Sequence, residues 1–368
     1  MQSIPDGVDV VSTAAEAKQL ASPPLLIVNS VTEFLDEHHI GSGSLEWQRI
    51  GDGQSNITYR IRRGDDDVVL RRGPRPPLPR STHDMIREAR IQALVSREGV
   101  PVPKIIAACE TDDILGVPFY VMSYLDGIVI TDLIPAELAS LQQRRATCEA
   151  TVDTLVMLHQ IDLRRGELAT LGRPDGYLQR QLDRFASLWP NATLRDLPEV
   201  AEIGAWLASN IPTSQKAAIV HGDYRTGNLM FGRQAPARVI GLLDWEMATV
   251  GDPLADLGYL VATWASPDHE PTTMELTSVT RQPGYFSRDD LLERYALNSS
   301  LDLSDLDWYQ VLALWKAAIF SEAIYTRFLR GERPYDTQFG PRLERGVPRL
   351  LQAAKELAGD NQTKRRTL

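Results

Sequence analysis

Val220-His221-Gly222-Asp223-Tyr224-Arg225-Thr226-Gly227-Asn228-Leu229-Met230-Phe231, followed by Val239-Ile240-Gly241-Leu242-Leu243-Asp244-Trp245-Glu246, decides how this chain is read. Two short apolar runs flank a polar loop, and a third apolar run ends in an acidic cluster; bounded runs of this length read as strands. Asn228 follows Asp223 by five residues and Asp244 follows it by twenty-one. Phosphoryl transfer needs such a set. An attacking hydroxyl must be aligned and must lose its proton, and the Asp223 carboxylate is placed to take it. Mg²⁺ on nucleotide phosphates wants oxygen ligands in near-octahedral geometry. Asp244 and the amide oxygen of Asn228 supply the protein's share, and the rest of catalysis is positioning and charge neutralisation.

These residues resemble the signature of the aminoglycoside phosphotransferase and choline kinase superfamily, relatives of the protein kinases: His-Gly-Asp, four residues, Asn, then an Asp at a following strand end. The Asp-to-Asn spacing equals that of the kinase catalytic loop. The resemblance implies an α+β, protein-kinase-like two-lobed fold, with a small antiparallel-sheet N-lobe and a larger helical C-lobe. It also implies ATP and Mg²⁺ as cofactors and transfer of the γ-phosphate to a hydroxyl of a small molecule. Arg225 stands where protein kinases carry a Lys that touches the transferred phosphate; the other reading is a salt bridge that steadies the loop. His221 is expected to hold the loop through hydrogen bonds. Asp252 reads as a helix N-cap with Pro253 in the first turn, and Asp252 and Asp256 are expected to be architectural. Glu246 either approaches a second ion or makes a structural hydrogen bond.

Upstream, the pattern is strand-rich. Residues 44–50, Ile57–Arg63 with its Ile57, Tyr59, Ile61 alternation, and Val68–Arg72 read as strands. A helix capped by Ser81 or Thr82 and ending at Glu98–Gly99 comes next, then strands over 104–110 and 117–123. Between the first two strands lies Gly51-Asp52-Gly53-Gln54-Ser55-Asn56, where glycines let backbone N–H groups approach phosphate. It lacks the third glycine of the dinucleotide fingerprint and leads into a strand, so a Rossmann reading fails. Gly51, Gly53, Ser55 and Asn56 are therefore candidate phosphate-loop residues, a plain hairpin turn being the alternative. By resemblance to kinases, a cation belongs on the third strand and a Glu on the next helix. Arg71 takes the first place instead of Lys, an imperfect exchange because the guanidinium is a bulkier fork; Arg72 points to the other face. Glu88 is its expected partner. The resemblance puts the hinge at the end of the last N-terminal strand, within 119–127, and the contacts to adenine at Met122, Ser123 and Tyr124.

The expected organisation is an N-terminal tail and helix over 1–40 (a loose tail to residue 22, a helix over 24–39), a nucleotide-binding N-lobe over 41–123, a hinge at 124–127, a catalytic and substrate-binding C-lobe over 128–355, and a solvated tail over 356–368. Long helical patterns cover 137–161, 176–189 and 198–210, and most of the chain after Pro253. A net charge of −10 without a clustered basic face speaks against a nucleic-acid partner. Cys109 and Cys148 are too few and too isolated for a disulfide framework or zinc site and read as buried hydrophobes in a reduced, cytoplasmic setting. No signal-peptide pattern and no apolar run of about 20 residues is present, so neither secretion nor a membrane partner is expected.

The acceptor is less legible. The loop with Leu243-Asp244-Trp245-Glu246-Met247-Ala248-Thr249 and the run Trp315–Arg330 look most like the subgroup fused to acyl-CoA dehydrogenases, which would make the acceptor a hydroxyacyl thioester. Trp264, Trp315, Glu322, Tyr325 and Arg327 either line an acceptor cleft or form core and rim; their helical spacing favours core. Two alternatives compete with the kinase reading. The missing third-strand Lys allows a catalytically weak nucleotide-binding module. A metal-dependent phosphoesterase would need further metal-binding histidines, and none of the six stands in such spacing.

Overall fold

A computed structural model describes residues 9–51, 56–76, 84–333 and 336–366, with side chains up to residue 359 in the last helix. The chain divides into two units, Met1–Asp126 and Gly127–Leu368.

The first unit forms around the alternating strand Ile57–Arg63. Its elements are β1 (Val10–Val11), α1 (Ala14–Ala17), β2 (Leu26–Ile27), α2 (Val28–Glu37), β3 (Glu46–Ile50), β4 (Ile57–Arg63), β5 (Asp66–Arg72), α3 (Met85–Arg97), β6 (Ile105–Cys109) and β7 (Phe119–Ser123). Strands β3-β4-β5-β7-β6 make one sheet, antiparallel throughout. One face carries Ile57, Tyr59, Ile61, Val68, Leu70, Phe119 and Val121, covered by Val31, Phe34 and Leu35 of α2. On the other face α3 lays Met85 and Ala89 against Tyr120. Asp84 caps α3, its carboxylate accepting the Arg87 N–H at 3.0 Å; Ser81 and Thr82 lie outside the described residues.

The described part of the first 22 residues is not a loose tail. Val10 and Val11 pair in parallel with Leu26 and Ile27, Thr13 and Glu16 form a capping box on α1, and Val11 and Leu25 join the buried cluster. The helix expected from residue 24 accordingly starts at Val28, because a short apolar run such as Leu25-Leu26-Ile27 fits strand or helix until a partner strand is known. Arg72 is buried on this same face. Its guanidinium donates to the carbonyls of Gly73 (2.8 Å), Leu25 (3.0 Å) and Leu115 (3.1 Å), which fasten the N-terminal segment to the sheet. Burial pushes its pKa down to about 10, and carbonyl dipoles replace the water it has lost.

The second unit holds β8 (Gly127–Val129), α4 (Leu141–His159), α5 (Tyr177–Ala192), α6 (Glu199–Ser209), β9 (Ala218–Val220), β10 (Leu229–Gly232), β11 (Val239–Leu242), β12 (Thr249–Gly251), α7 (Leu254–Thr263), α8 (Arg288–Asn298), α9 (Leu306–Leu329) and α10 (Phe339–Arg366). Two small antiparallel sheets, β11-β10-β8 and β12-β9, carry the polar loop. Helix α9 is apolar on most of its circumference, as a central helix must be, and packs against α5, α6, α7 and α10. Its tryptophans keep their N–H groups satisfied: Trp308 donates to the Leu207 carbonyl at 3.1 Å and Trp315 to that of Val200 at 2.9 Å.

The possible acceptor-cleft set resolves as structure. Trp264, Trp315, Glu322 and Tyr325 are buried. Glu322 pairs with Arg195 and accepts from Thr193 at 2.9 Å, while Arg327 is exposed and bridges Glu332. The solvated tail expected over 356–368 is also corrected: α10 continues to Arg366, and Ala354 and Ala358 on it are buried. Both cysteines are free and buried. Burial pushes the Cys148 thiol up to about 12, which leaves it inert. Among the described residues no helix is long and apolar enough to cross a membrane.

Candidate active site

Strand pairing gathers the motif. Leu229 of β10 faces Leu242 of β11, and the Leu243 N–H donates to the Asn228 carbonyl at 2.8 Å. Asn228 and Asp244 therefore emerge at the same end of this hairpin. Asp244 has a left-handed backbone, φ +66° and ψ +68°. For a non-glycine residue that costs roughly 1–3 kcal/mol and is retained where function requires an aimed side chain.

The loop from Val220 to Asn228 is fixed on its inner side. The His221 ring, with no exposed surface, bonds Leu243 O through Nε2 at 2.9 Å and accepts the Asp223 N–H on Nδ1 at 3.3 Å. One side chain thus ties the backbone at Asp223 to the strand end before Asp244. Asp256, in the first turn of α7 and fully buried, accepts the His221 N–H at 2.6 Å and the Gly222 N–H at 2.8 Å, one on each oxygen. Gly222 has φ +85°, and a Cβ there would lie 2.8 Å from the Met247 carbonyl, so only glycine fits. Asp252 anchors the same helix start: it accepts from Leu254 N at 3.0 Å, Ser214 Oγ at 2.6 Å and Tyr309 OH at 2.8 Å.

Asp223 is a partly exposed carboxylate with three neighbours. The Asn228 amide donates to its Oδ2 and to its backbone carbonyl, both at 2.8 Å. Arg225 Nε stands 3.5 Å from its Oδ1, and the guanidinium lies close over Gly227. The Tyr259 hydroxyl also hydrogen-bonds Asp223; burial first, and then the charge of Asp223, hold this phenol well above its ordinary pKa, so it stays a donor. With its Nδ2 spent on Asp223, Asn228 offers Oδ1 as its coordinating atom.

The donor set fits Mg²⁺ held jointly with phosphate. Among the described residues no three His, Cys, Asp or Glu side chains form a metal cluster. Mg²⁺ is commonly held by one or two protein oxygens, the rest coming from phosphates and water; Asp244 and Asn228 Oδ1, leaving the same hairpin end, are the residues that would make such a pair.

In the first unit, Arg71 Nε lies 2.9 Å from Glu88 Oε1. The Tyr120 hydroxyl donates to the same oxygen at 2.9 Å, and Glu88 is 2% exposed. Register explains the meeting: Arg71 faces Tyr120 across β5–β7, on the sheet face that α3 covers. Gly51 follows β3 with φ +75°, and Asn56 is buried before β4; Gly53 and Ser55 lie outside the described residues. At the expected hinge, the Ser123 N–H donates to Lys104 O at 2.9 Å and the Tyr124 N–H to Asp67 O at 3.3 Å. Those two donors are spent within the unit, which turns the adenine expectation there away from them. The Met122 sulfur meets Gln92 of α3 at 3.7 Å, and the Tyr124 ring lies under Arg60 at 3.6 Å.

Sequence reasoning missed Tyr259 and understated Asp256. Asp252, Asp256 and Tyr259 recur at helical spacing after the Gly251-Asp252-Pro253 start, a signal that they share one face but not of what that face meets.

Residues 46–291 match the Phosphotransferase enzyme family, APH. The mouse protein Acyl-CoA dehydrogenase family member 10 is 31% identical over 96% of this chain; the chain spans 32% of that relative's length. A solved structure from Ralstonia eutropha, assigned as an aminoglycoside phosphotransferase, is 25% identical with a TM-score of 0.77, covering 90% of this chain and 98% of that one. A spectinomycin phosphotransferase solved with ADP and spectinomycin shares the fold, with a TM-score of 0.56 at 11% identity over 91% of this chain and 98% of that one.

Proposed function

The chain belongs to the phosphotransferase enzyme family and has its kinase-like α+β fold, and on that premise we propose that it moves the γ-phosphate of ATP to a hydroxyl of a small molecule. One observation carries the reading: Asp223 is aimed by Asn228 and Tyr259 on a loop whose backbone Asp256 clamps. That arrangement holds a carboxylate still where a proton must be taken. As the acceptor oxygen bonds to the γ-phosphorus, its proton passes to Asp223 and the bond to the leaving ADP oxygen breaks. Arg225, whose Nε stands 3.5 Å from Asp223, serves the transferred phosphoryl oxygens. Mg²⁺ bound by Asn228 and Asp244 would neutralise phosphate charge. The ADP in the spectinomycin phosphotransferase supports nucleotide use here. The likeness to acyl-CoA dehydrogenase family member 10 favours a hydroxyacyl thioester as acceptor.

The test is ADP release from Mg²⁺–ATP over aminoglycosides, choline, sugars and hydroxyacyl-CoA esters. Stimulation by one class is expected. ATP binding with no stimulation by any class would instead make this a nucleotide-binding module.

In the first unit, Arg71 takes the phosphate-holding role of the kinase Lys, and Glu88 fixes its direction. Glu88→Gln is expected to raise the KM for ATP about tenfold, since a misplaced positioning group costs up to about 10²-fold. It should also destabilise the fold, because a buried ion pair loses one charge. An unchanged KM for ATP, in steady-state kinetics on protein shown folded by circular dichroism, would remove Glu88 from the site.

A further inference from the structure

Behind the Asp223 loop lies a cavity of about 20 Å³, lined by Tyr177, Gly222, Asp256, Tyr259, Tyr309 and Lys316. That is room for one water-sized atom. Most of its polar lining is committed: Asp256 to backbone N–H groups, Tyr259 to Asp223, Tyr309 to Asp252. Lys316, half-buried on α9, is the cation of that lining. Its ammonium has three N–H donors. Among the described residues it donates to Gln181 Oε1 at 3.0 Å, lies 4.7 Å over the Phe185 ring and has no carboxylate at ion-pair distance. Burial pushes its pKa down to about 8; Arg184 of α5 works in the same direction, while Asp256 of α7 and Asp223 of the loop oppose it. Below that pH it is a cation with donors to spare, facing a space sized for one oxygen beside the catalytic loop.

Resting on the phosphotransfer reading above, we infer that Lys316 receives a carboxylate or thioester-carbonyl oxygen of the acceptor and so selects hydroxy acids or their thioesters over cationic amino alcohols and amino sugars. A partly desolvated ammonium bonds strongly to such an oxygen. The same charge repels an acceptor that arrives as a cation.

The experiment uses the full chain with Mg²⁺–ATP and three acceptors: 3-hydroxybutyrate, 3-hydroxybutyryl-CoA and choline. The wild type is expected to prefer one of the first two, and which one separates a carboxylate from a thioester carbonyl. Lys316→Gln should raise the KM for that acceptor about tenfold, the loss of one charge-assisted bond, and lower kcat less. Lys316→Arg should recover most of the effect. The wild-type KM should rise above a pH of about 8, as the ammonium loses its proton, and this inflection should vanish in Lys316→Gln. A preference for choline, or equal KM increases for all acceptors, overturns the assignment. If the wild type turns over none of them, the phosphotransfer reading falls separately. Lys316 is then judged by calorimetry of 3-hydroxybutyrate binding: weakening by Lys316→Gln sustains the assignment, and equal or absent binding overturns it.

Discussion

Asp223→Asn is expected to lose acceptor-dependent phosphoryl transfer by about 10²–10⁴-fold, the range over which a positioned general base contributes. The amide keeps the size of the carboxylate and one carbonyl oxygen, so bonds from Asn228 and Tyr259 can persist. What it cannot do is take a proton. Arg225 loses the counter-charge now 3.5 Å away, which adds a local electrostatic change without emptying the nucleotide site. ATP affinity by calorimetry is expected to stay within about threefold, because uniform binding and transition-state chemistry separate in this way. Turnover close to wild type in Asp223→Asn would end the base assignment and leave positioning alone to explain catalysis.

Asp256→Ala is expected to be the most damaging single change to the second unit. Both carboxylate oxygens accept backbone N–H groups of the catalytic loop, the buried one of His221 and the partly buried one of Gly222. Each orphaned buried donor costs about 1–3 kcal/mol, so the pair, one of them only partly buried, predicts a loss of about 2–5 kcal/mol. The His159 ring, whose Nε2 lies 3.5 Å from the same carboxylate, loses a neighbour as well. The melting temperature of the second unit should fall by several degrees, and kcat should fall even where the protein remains folded, because Asp223 is no longer held in place. Asp256→Asn should recover only part of either loss, since its NH₂ would face a backbone N–H. A melting curve unchanged from wild type would show that the loop is held elsewhere.

The sequence alone singled out the candidate residues and, through the family resemblance they carry, the kind of fold that presents them. Asp223, Asn228 and Asp244 stand at fixed short spacings between apolar runs, and spacing of that kind is local information. The same holds for β4, whose alternation at Ile57, Tyr59 and Ile61 needs no partner to be seen. Tertiary structure decided what supports those residues. Whether Leu25-Leu26-Ile27 becomes strand or helix depends on β1 lying beside it, so the N-terminal segment that looked loose is part of the first core. Whether α10 stops short of the last residues depends on what lies under Ala354 and Ala358. Tyr259 and Asp256 acquire meaning only when α7 is packed under the loop, and Lys316 only when α9 brings it to the cavity beside Gly222. The physical reason is common to all of them. A motif is set by neighbours along the chain, whereas burial, hydrogen-bond partnership and local charge are set by neighbours in space.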